Sequence, residues 1–175
     1  MKLKQESKYQ VGVVLGSASD LDKVEALFKV FDEFEIGYEL AVISAHRTPE
    51  LLEEYARSVY SRGFKVLIAA AGLSAALPGM LASLVHIPVI GLPISAGTLN
   101  GIDALLSISQ MPPGVPVACV GIDSPRNAGL LAVRILSLTD CSLAGKLSGY
   151  RKAMAGNVVT KMRNLKEEGY PVWEF

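Results

Sequence analysis

Short apolar runs alternate with amphipathic segments along most of this chain, and that alternation restricts its fold more than any other feature. The first run is β-branched, covers residues 9–15 and ends at Gly16, after which apolar residues recur at helical spacing between Leu21 and Phe34. The same order of strand, turn and helix then repeats. Further strands are predicted at residues 38–43, 65–71, 87–92 and 115–120, and further helices near residues 49–60, 75–84, 103–109 and 125–138.

Buried strands that alternate with amphipathic helices are typical of a doubly wound parallel sheet with helices on both faces. Five strands favour the flavodoxin-like arrangement, a three-layer α/β sandwich whose strand order is 2-1-3-4-5. A long helix is predicted beyond the last strand, because apolar residues recur there at near-heptad spacing. These residues are Leu143, Leu147, Tyr150, Met154, Val158, Met162 and Leu165.

The length of the chain, 175 residues, suits one domain. We therefore expect a single domain over residues 1–175, with an α/β core at about 10–139 and a C-terminal helix at about 141–168. Half of the residues are hydrophobic and 19% are charged, an apolar excess which indicates that copies of the chain cover one another's surface. The C-terminal helix is thus predicted to mediate oligomerisation by packing on another subunit.

The charge of the chain argues against several classes of partner. Its 17 basic and 17 acidic residues balance, so neither nucleic acid nor a membrane is expected as a partner, and small molecules are favoured. Cys119 and Cys141 lack the spacing of a metal site and are predicted to be free thiols. The polar N-terminal residues MKLKQESKYQ contain no signal-peptide core, and no apolar run reaches the ~20 residues of a membrane span. The predicted location is cytoplasmic.

Ligands of open parallel sheets bind outside the carboxyl ends of the strands, and three predicted loops there have an unusual composition. The first, GSASD at residues 16–20, offers free backbone amides, two hydroxyls and a helix N-terminus that favours an anion. Ser19 could instead cap the helix in a capping box with Asp22, which leaves Ser17 for a ligand. The loop lacks the GK[ST] ending of a Walker loop and the pattern GxGxxG, so triphosphate and dinucleotide sites are disfavoured.

The second loop, SAHRTP at residues 44–49, contains one of the two histidines of the chain. Arg47 offers a planar fork that suits a phosphate, and His46 can transfer a proton near neutral pH. A lone loop histidine is also commonly a hydrogen-bonded surface residue, and Thr48 before a proline suits the start of a helix. The other histidine, His86, precedes a strand at its opposite end, so no metal site is predicted and His86 is interpreted as structural.

The third loop, AGLSAALPGM, covers residues 71–80 and consists mainly of small residues. Small side chains would let the backbone approach a ligand closely, but they equally suit tight packing of a helix on the sheet or on a neighbouring subunit. A fourth stretch, SAGTLNGIDALLSISQMPPGVPVA, is interpreted either as a mobile lid or as a simple connection.

Six motifs together resemble a known family, the catalytic subunit of phosphoribosylaminoimidazole carboxylase, which includes N5-carboxyaminoimidazole ribonucleotide mutase. The resemblance covers residues from about 10 to 139, and the C-terminal helix also suits it. In order and spacing, the motifs that carry it are GSASD, SAHRTP, AG…LPGM, PVIGLP, TLNGIDALLSISQMPPGVPVA and RNAGLLA.

The resemblance implies an enzyme of purine biosynthesis whose flavodoxin-like subunits form a homo-octamer with an active site at each subunit boundary. No metal or organic cofactor is expected. The substrate would be a ribonucleotide whose carboxylate moves from the exocyclic nitrogen to C4 of the aminoimidazole ring through release and recapture of carbon dioxide. The ATP-dependent carboxylating enzyme that precedes this step would be a functional partner.

By the same resemblance, His46 would be the general acid and base, since one imidazole can protonate the nitrogen and then remove the proton from C4. Ser17, Asp20 and Arg47 would hold the ribose phosphate and the sugar, with Asp20 accepting hydrogen bonds from ribose hydroxyls. The other substrate-binding residues would be Gly16, Ser19, Ser44, Ala45, Ala71, Gly72, Ser74 and Leu77.

The third loop departs from the family pattern. Mutase-type members usually read AGGAAHLPGM, whereas here Leu73 and Ser74 replace Gly-Ala, and Ala76 stands where a histidine is expected. The animal-type branch, which carboxylates aminoimidazole ribonucleotide directly with carbon dioxide, also lacks this histidine. Direct carboxylation therefore stays open as an alternative, as do a paralogue that acts on another ring, such as a nicotinate-type ring, and a non-catalytic nucleotide-binding role.

Overall fold

The computed structural model describes residues 9–173. These residues form a five-stranded parallel sheet in the order β2-β1-β3-β4-β5, which confirms the predicted topology. The polar residues 1–8, used above to argue against a signal peptide, lie outside the described part of the chain. The strands are β1 (Val11–Leu15), β2 (Tyr38–Val42), β3 (Val66–Gly72), β4 (Val89–Ile94) and β5 (Ala118–Cys119). The helices are α1 (Leu21–Phe34), α2 (Pro49–Ser58), α3 (Ala76–Leu84), α4 (Ile102–Ser109), α5 (Pro125–Ser137) and α6 (Cys141–Glu167).

The central strands β1 and β3 are apolar on both faces, as strands of a doubly wound sheet must be. All five residues of β1 and the first six of β3 are buried. Val11 pairs with Tyr38 of β2 on one side and with Val66 of β3 on the other, both in parallel register. Because all the strands run in one direction, their carboxyl ends meet at the same edge of the sheet.

Helices form the two outer layers of the predicted sandwich. Leu52 of α2 and Leu81 of α3 belong to the same buried cluster as Leu67 of β3, and α4 contributes to it as well. The helices α1 and α5 contact each other, and a Cβ atom added at Gly129 of α5 would lie 3.1 Å from a methyl carbon of Leu27 of α1. The close approach of these two helices therefore depends on the small residue at position 129.

The prediction of a buried strand over residues 115–120 was wrong in length and in burial. Only Ala118 and Cys119 pair with β4, and Ala118 is exposed. Pro116 has no N–H to donate to a strand ladder, and the backbone N–H of Val115 donates to the carbonyl of Pro112 in a turn, at 3.2 Å. The strand β5 is therefore short, with only Ala118 and Cys119 in the sheet.

The chain divides into two compact units, one that ends at Leu136 and one that begins at Ser137. The second unit contains α6, whose 27 residues confirm the predicted C-terminal helix. Asp140 caps this helix, because its carboxylate accepts hydrogen bonds from the backbone N–H groups of Ser142 and Leu143 at 2.9 and 3.1 Å. The single domain over residues 1–175 stays a prediction, as does the oligomerising role of α6.

Among residues 9–173, α6 is the longest helix, but neither it nor any other described helix is long and apolar enough to cross a lipid bilayer. Cys119 and Cys141 are both free thiols, as predicted.

Tyr55 is a buried residue whose hydroxyl has no hydrogen-bond partner in the described part of the chain. The hydroxyl lies against Gly12 of β1, where an added Cβ atom would be 2.5 Å away. Burial raises the pKa of Tyr55 to about 12. Because an unsatisfied buried hydroxyl is costly, Tyr55→Phe should raise the free energy of unfolding at pH 7 by about 1 kcal/mol in urea denaturation.

The raised pKa of Tyr55 predicts that the folded protein loses stability at high pH. In the unfolded chain Tyr55 ionises near its ordinary pKa of 10, but in the folded chain only near 12. Its contribution to stability is therefore complete below pH 10 and should fall by about 2 kcal/mol as the pH rises to 12. Tyr55→Phe should remove that loss, whereas the exposed control Tyr170→Phe should not. Parallel pH dependences of wild type and Tyr55→Phe would contradict this account.

Candidate active site

A crevice of about 460 Å³ lies at the carboxyl edge of the sheet, where the predicted loops converge. Polar groups come from the loops that follow β1 and β2, and apolar groups come from the loops that follow β3 and β4. The lining residues are Gly16, Ser17, Ser19, Asp20, Ser44, Ala45, His46, Arg47, Ala71, Gly72, Leu73, Ala75, Ala76, Leu77 and Ala96. The structure thus brings together all the predicted site residues except Ser74.

The loop after β1 forms a short 3-10 turn, Ala18–Asp20, before α1 begins. The Oγ atoms of Ser17 and Ser19 are 2.8 Å apart, and Ser17 Oγ also accepts a hydrogen bond from the backbone N–H of Ser19 at 3.3 Å. The alternative of a capping box between Ser19 and Asp22 is not formed, since Ser17 caps the 3-10 turn and α1 begins without a side-chain cap. Two adjacent hydroxyls remain on the crevice wall.

Asp20 is half-buried at the end of this turn, where it lines the crevice. Burial raises the pKa of the Asp20 carboxyl above its ordinary value, while attraction to Lys23 and a hydrogen bond from Ser19 Oγ at 3.5 Å offset part of that effect. A carboxylate that is partly desolvated gains more from hydrogen-bond donors of a ligand than one that is fully hydrated.

The loop after β2 is closed by hydrogen bonds between Ser44 and Thr48. Thr48 donates from its backbone N–H and from its hydroxyl to the carbonyl of Ser44, at 2.8 and 3.0 Å, and its hydroxyl accepts from the N–H of Ser44 at 3.2 Å. Thr48 precedes α2, with Pro49 at the first helical position, but makes no capping bond. The predicted start of α2 is confirmed, with Thr48 at the N-cap position, but its hydroxyl is engaged inside the loop instead of capping the helix.

This closed loop holds His46 and Arg47 beside each other at the crevice, and both side chains are exposed. Ser44 Oγ accepts hydrogen bonds from the backbone N–H of Arg47 at 3.3 Å and from its Nε at 3.2 Å. Ser44 thereby orients the guanidinium while the terminal nitrogens remain available for an anion.

The loop after β3 contains a tight turn from Gly72 to Ala75, in which the N–H of Ala75 donates to the carbonyl of Gly72 at 3.1 Å. Leu73 and Ala75 both have positive φ angles, 54° and 25°. Ser74 is exposed, is not among the crevice residues, and accepts a hydrogen bond at its carbonyl from Ser107 Oγ at 2.7 Å. Ala76, where a histidine was expected, lines the crevice.

The loop after β4 begins the stretch that was interpreted as a lid or a connection, and none of its residues was among the predicted site residues, although the rule that ligands bind at carboxyl ends of strands also applies to it. Its Ala96 lines the crevice. Lys23 donates to the carbonyl of Ser95 and to its Oγ, the latter at 3.0 Å, and Asp123 Oδ1 accepts from the N–H of Ser95 at 2.9 Å. Burial raises the pKa of Asp123, but hydrogen bonds from Ser95 and attraction to Lys23 outweigh that effect and hold it below its ordinary value.

Within residues 9–173 no cluster of three or more histidine, cysteine, aspartate or glutamate residues could hold a metal ion. His86 lies outside the crevice, and its backbone N–H donates to the hydroxyl of Tyr60.

The sequence matches the family described as AIR carboxylase over residues 10–157. It is 56% identical over 145 residues to the N5-carboxyaminoimidazole ribonucleotide mutase of Pyrococcus abyssi, which covers 83% of each chain. The mutase of Thermotoga maritima is 47% identical over 161 residues, 92% of this chain and 94% of that one. The crystal structure of Treponema denticola PurE superposes with a TM-score of 0.82 at 31% identity and covers 89% of this chain and 98% of that chain. The chain belongs to the AIR carboxylase family.

Proposed function

We propose that this protein interconverts N5-carboxyaminoimidazole ribonucleotide and 4-carboxy-5-aminoimidazole ribonucleotide, an isomerisation in de novo purine biosynthesis. The observation that carries the proposal is the convergence of His46, Arg47 and the GSASD loop on one crevice. Relatives that are 47% and 56% identical bear the name of this mutase. The crevice volume of about 460 Å³ is in the usual range for small-molecule sites.

Arg47 binds the ribose phosphate in this proposal. Its Nε is engaged by Ser44 Oγ at 3.2 Å, so its terminal nitrogens can form a bidentate pair with phosphate oxygens. Asp20 accepts hydrogen bonds from the ribose hydroxyls, because its negative charge would repel the phosphate. Further substrate contacts come from Gly16, Ser17, Ser19, Ala45, Ala71, Gly72 and Leu77, which line the same crevice.

His46 carries one proton between two half-reactions. In the first, the C–N bond of the substrate's carbamate breaks, carbon dioxide leaves, and the imidazolium of His46 protonates the exocyclic nitrogen that keeps the bonding electron pair. In the second, C4 of the ring bonds to the carbon of carbon dioxide, and the neutral imidazole removes the proton from C4. The enzyme returns to its starting protonation state, so no external acid or base is consumed.

One observation favours a second reaction, the direct carboxylation of aminoimidazole ribonucleotide by dissolved carbon dioxide. Ala76 lines the crevice where mutase-type sequences have a histidine, so the wall near α3 lacks that ionisable group. In direct carboxylation the enzyme needs only to remove the C4 proton, and His46 alone suffices for that step.

Two parallel assays with the purified protein test the proposal. One supplies N5-carboxyaminoimidazole ribonucleotide, the other supplies aminoimidazole ribonucleotide with bicarbonate, and both follow the C4-carboxylated product by absorbance. The mutase should turn over the first substrate much faster than the second. Turnover of the second alone would establish direct carboxylation, and turnover of neither would leave a binding role or another ring substrate.

We also propose a cytoplasmic location and a homo-octamer with its sites at subunit boundaries. Apolar side chains exposed along α6, among them Met154 and Val158, support assembly with further copies of the chain. Functional coupling to the ATP-dependent enzyme that makes the carbamate substrate would limit its spontaneous loss of carbon dioxide.

A further inference from the structure

Leu73 combines three properties that are unusual for a leucine. It lines the crevice, the residue is 54% exposed, and its backbone has a φ of 54°. Left-handed backbone costs free energy for every residue with a Cβ, whereas glycine adopts it freely. Strained residues of this kind persist where the surrounding structure holds them, and they are concentrated at functional sites.

Neighbouring elements hold Leu73 in this conformation. The turn is closed by the bond from the N–H of Ala75 to the carbonyl of Gly72 at 3.1 Å, and Ser107 of α4 donates to the carbonyl of Ser74 at 2.7 Å. A Cβ atom added at Gly97 would lie 2.9 Å from Leu73 Cδ2, so the side chain packs against the loop that follows β4. Leu73 is thus fixed between two loops at the crevice.

Leu73 supplies the largest exposed apolar surface on the described part of the crevice wall. The other apolar residues there are alanines, apart from Leu77, which is 2% exposed. The polar groups come from the loops after β1 and β2, so the wall near β3 and β4 is the one suited to an uncharged, flat ring. Covering exposed apolar surface with such a ring removes it from water and favours binding.

We propose that Leu73 is an apolar cover of the active site, which packs on the aminoimidazole ring and hinders the escape of carbon dioxide between its release and its recapture. The inference rests on the proposed mutase function and assigns a substrate-contacting role to a residue outside the motifs. Carbon dioxide is apolar and carries no charge that Arg47 could hold. Its retention therefore depends on a physical barrier rather than on an ion pair.

Two variants of the whole chain distinguish the effect of the Leu73 side chain from the effect of its strained backbone. Leu73→Ala shortens the side chain and keeps the strained backbone, whereas Leu73→Gly removes the side chain and relieves the strain. Leu84→Ala, on α3 and outside the crevice, is the matched control with 43% exposure. Calorimetry measures the affinity for aminoimidazole ribonucleotide. Product analysis measures the fraction of the carbamate substrate that is released as aminoimidazole ribonucleotide, and this fraction is corrected for decarboxylation in the absence of enzyme. Urea denaturation measures stability.

Both Leu73 variants should bind the nucleotide roughly fivefold more weakly and release a severalfold larger decarboxylated fraction. Leu73→Gly should unfold at the same or a higher urea concentration than wild type, and Leu84→Ala should match wild type in binding and in product fraction. If affinity and product fraction were unchanged in both Leu73 variants while the wild-type protein turned over its substrate, the proposed role of Leu73 would be overturned. The proposed mutase function would not be. A defect seen only in Leu73→Gly and only together with lost stability would also overturn it. If the wild-type protein neither bound the nucleotide nor turned over the substrate, the proposed function and this inference would both be overturned.

Discussion

His46→Asn is expected to reduce kcat by at least about 10²-fold while its affinity for the nucleotide stays close to that of wild type. Asparagine keeps the polarity and approximate size of the side chain but cannot accept and return a proton near neutral pH. The imidazole is exposed on a loop closed by Ser44 and Thr48, so its replacement should leave the loop folded. Steady-state kinetics with the carbamate substrate gives kcat, and calorimetry with aminoimidazole ribonucleotide gives the affinity.

His86→Asn is the matched control for the other histidine of the chain. Because His86 lies outside the crevice and contacts Tyr60 through its backbone N–H, its replacement should leave kcat unchanged. Near-native turnover by His46→Asn would remove His46 from the proton transfers. Equal losses in both variants would point to a general effect on folding.

Arg47→Ala is expected to weaken nucleotide binding by about 1.5–3 kcal/mol, the usual loss for a hydrogen bond to a charged group. The corresponding increase in Kd is roughly 10- to 150-fold. Arg47→Lys keeps the charge but loses the planar fork that Ser44 orients, and it should fall between wild type and Arg47→Ala. Calorimetry with aminoimidazole ribonucleotide measures all three proteins.

Arg57→Ala provides the control for the loss of a positive charge. Arg57 is exposed on α2, pairs with Glu53 at 2.9 Å and lies outside the crevice, so nucleotide affinity should not change. If Arg47→Ala bound the nucleotide as tightly as Arg57→Ala does, Arg47 would not be the phosphate ligand.

The sheet could be predicted from the sequence because its central strands carry a strong local signal. Runs such as VGVVL and VLIAAAG are apolar at every position, which only a strand covered on both faces explains well. The strand order then placed the loops after β1, β2 and β3 at one edge, and those loops do line one crevice. The sequence therefore located those site residues whose position follows from the order of the strands.

The remaining features depend on contacts between distant residues or on details of backbone geometry. Lys23 and Ser95 are 72 positions apart, and no local pattern links them. Thr48 suits an N-cap by residue type, but its hydrogen bonds with Ser44 depend on the folded shape of the loop and do not follow from residue type. Leu73 is the clearest case, because nothing in its residue type indicates a left-handed backbone that tertiary contacts must hold.

Isotope labelling of the substrate carboxylate tests the mutase most directly. N5-carboxyaminoimidazole ribonucleotide with ¹³C in its carboxylate is converted in unlabelled bicarbonate, and mass spectrometry of the C4-carboxylated product measures how much label is kept. A mutase that releases and recaptures carbon dioxide within this crevice should keep most of the label in the product. Product that carries the unlabelled carbon of dissolved bicarbonate would contradict the mutase and assign the protein to direct carboxylation.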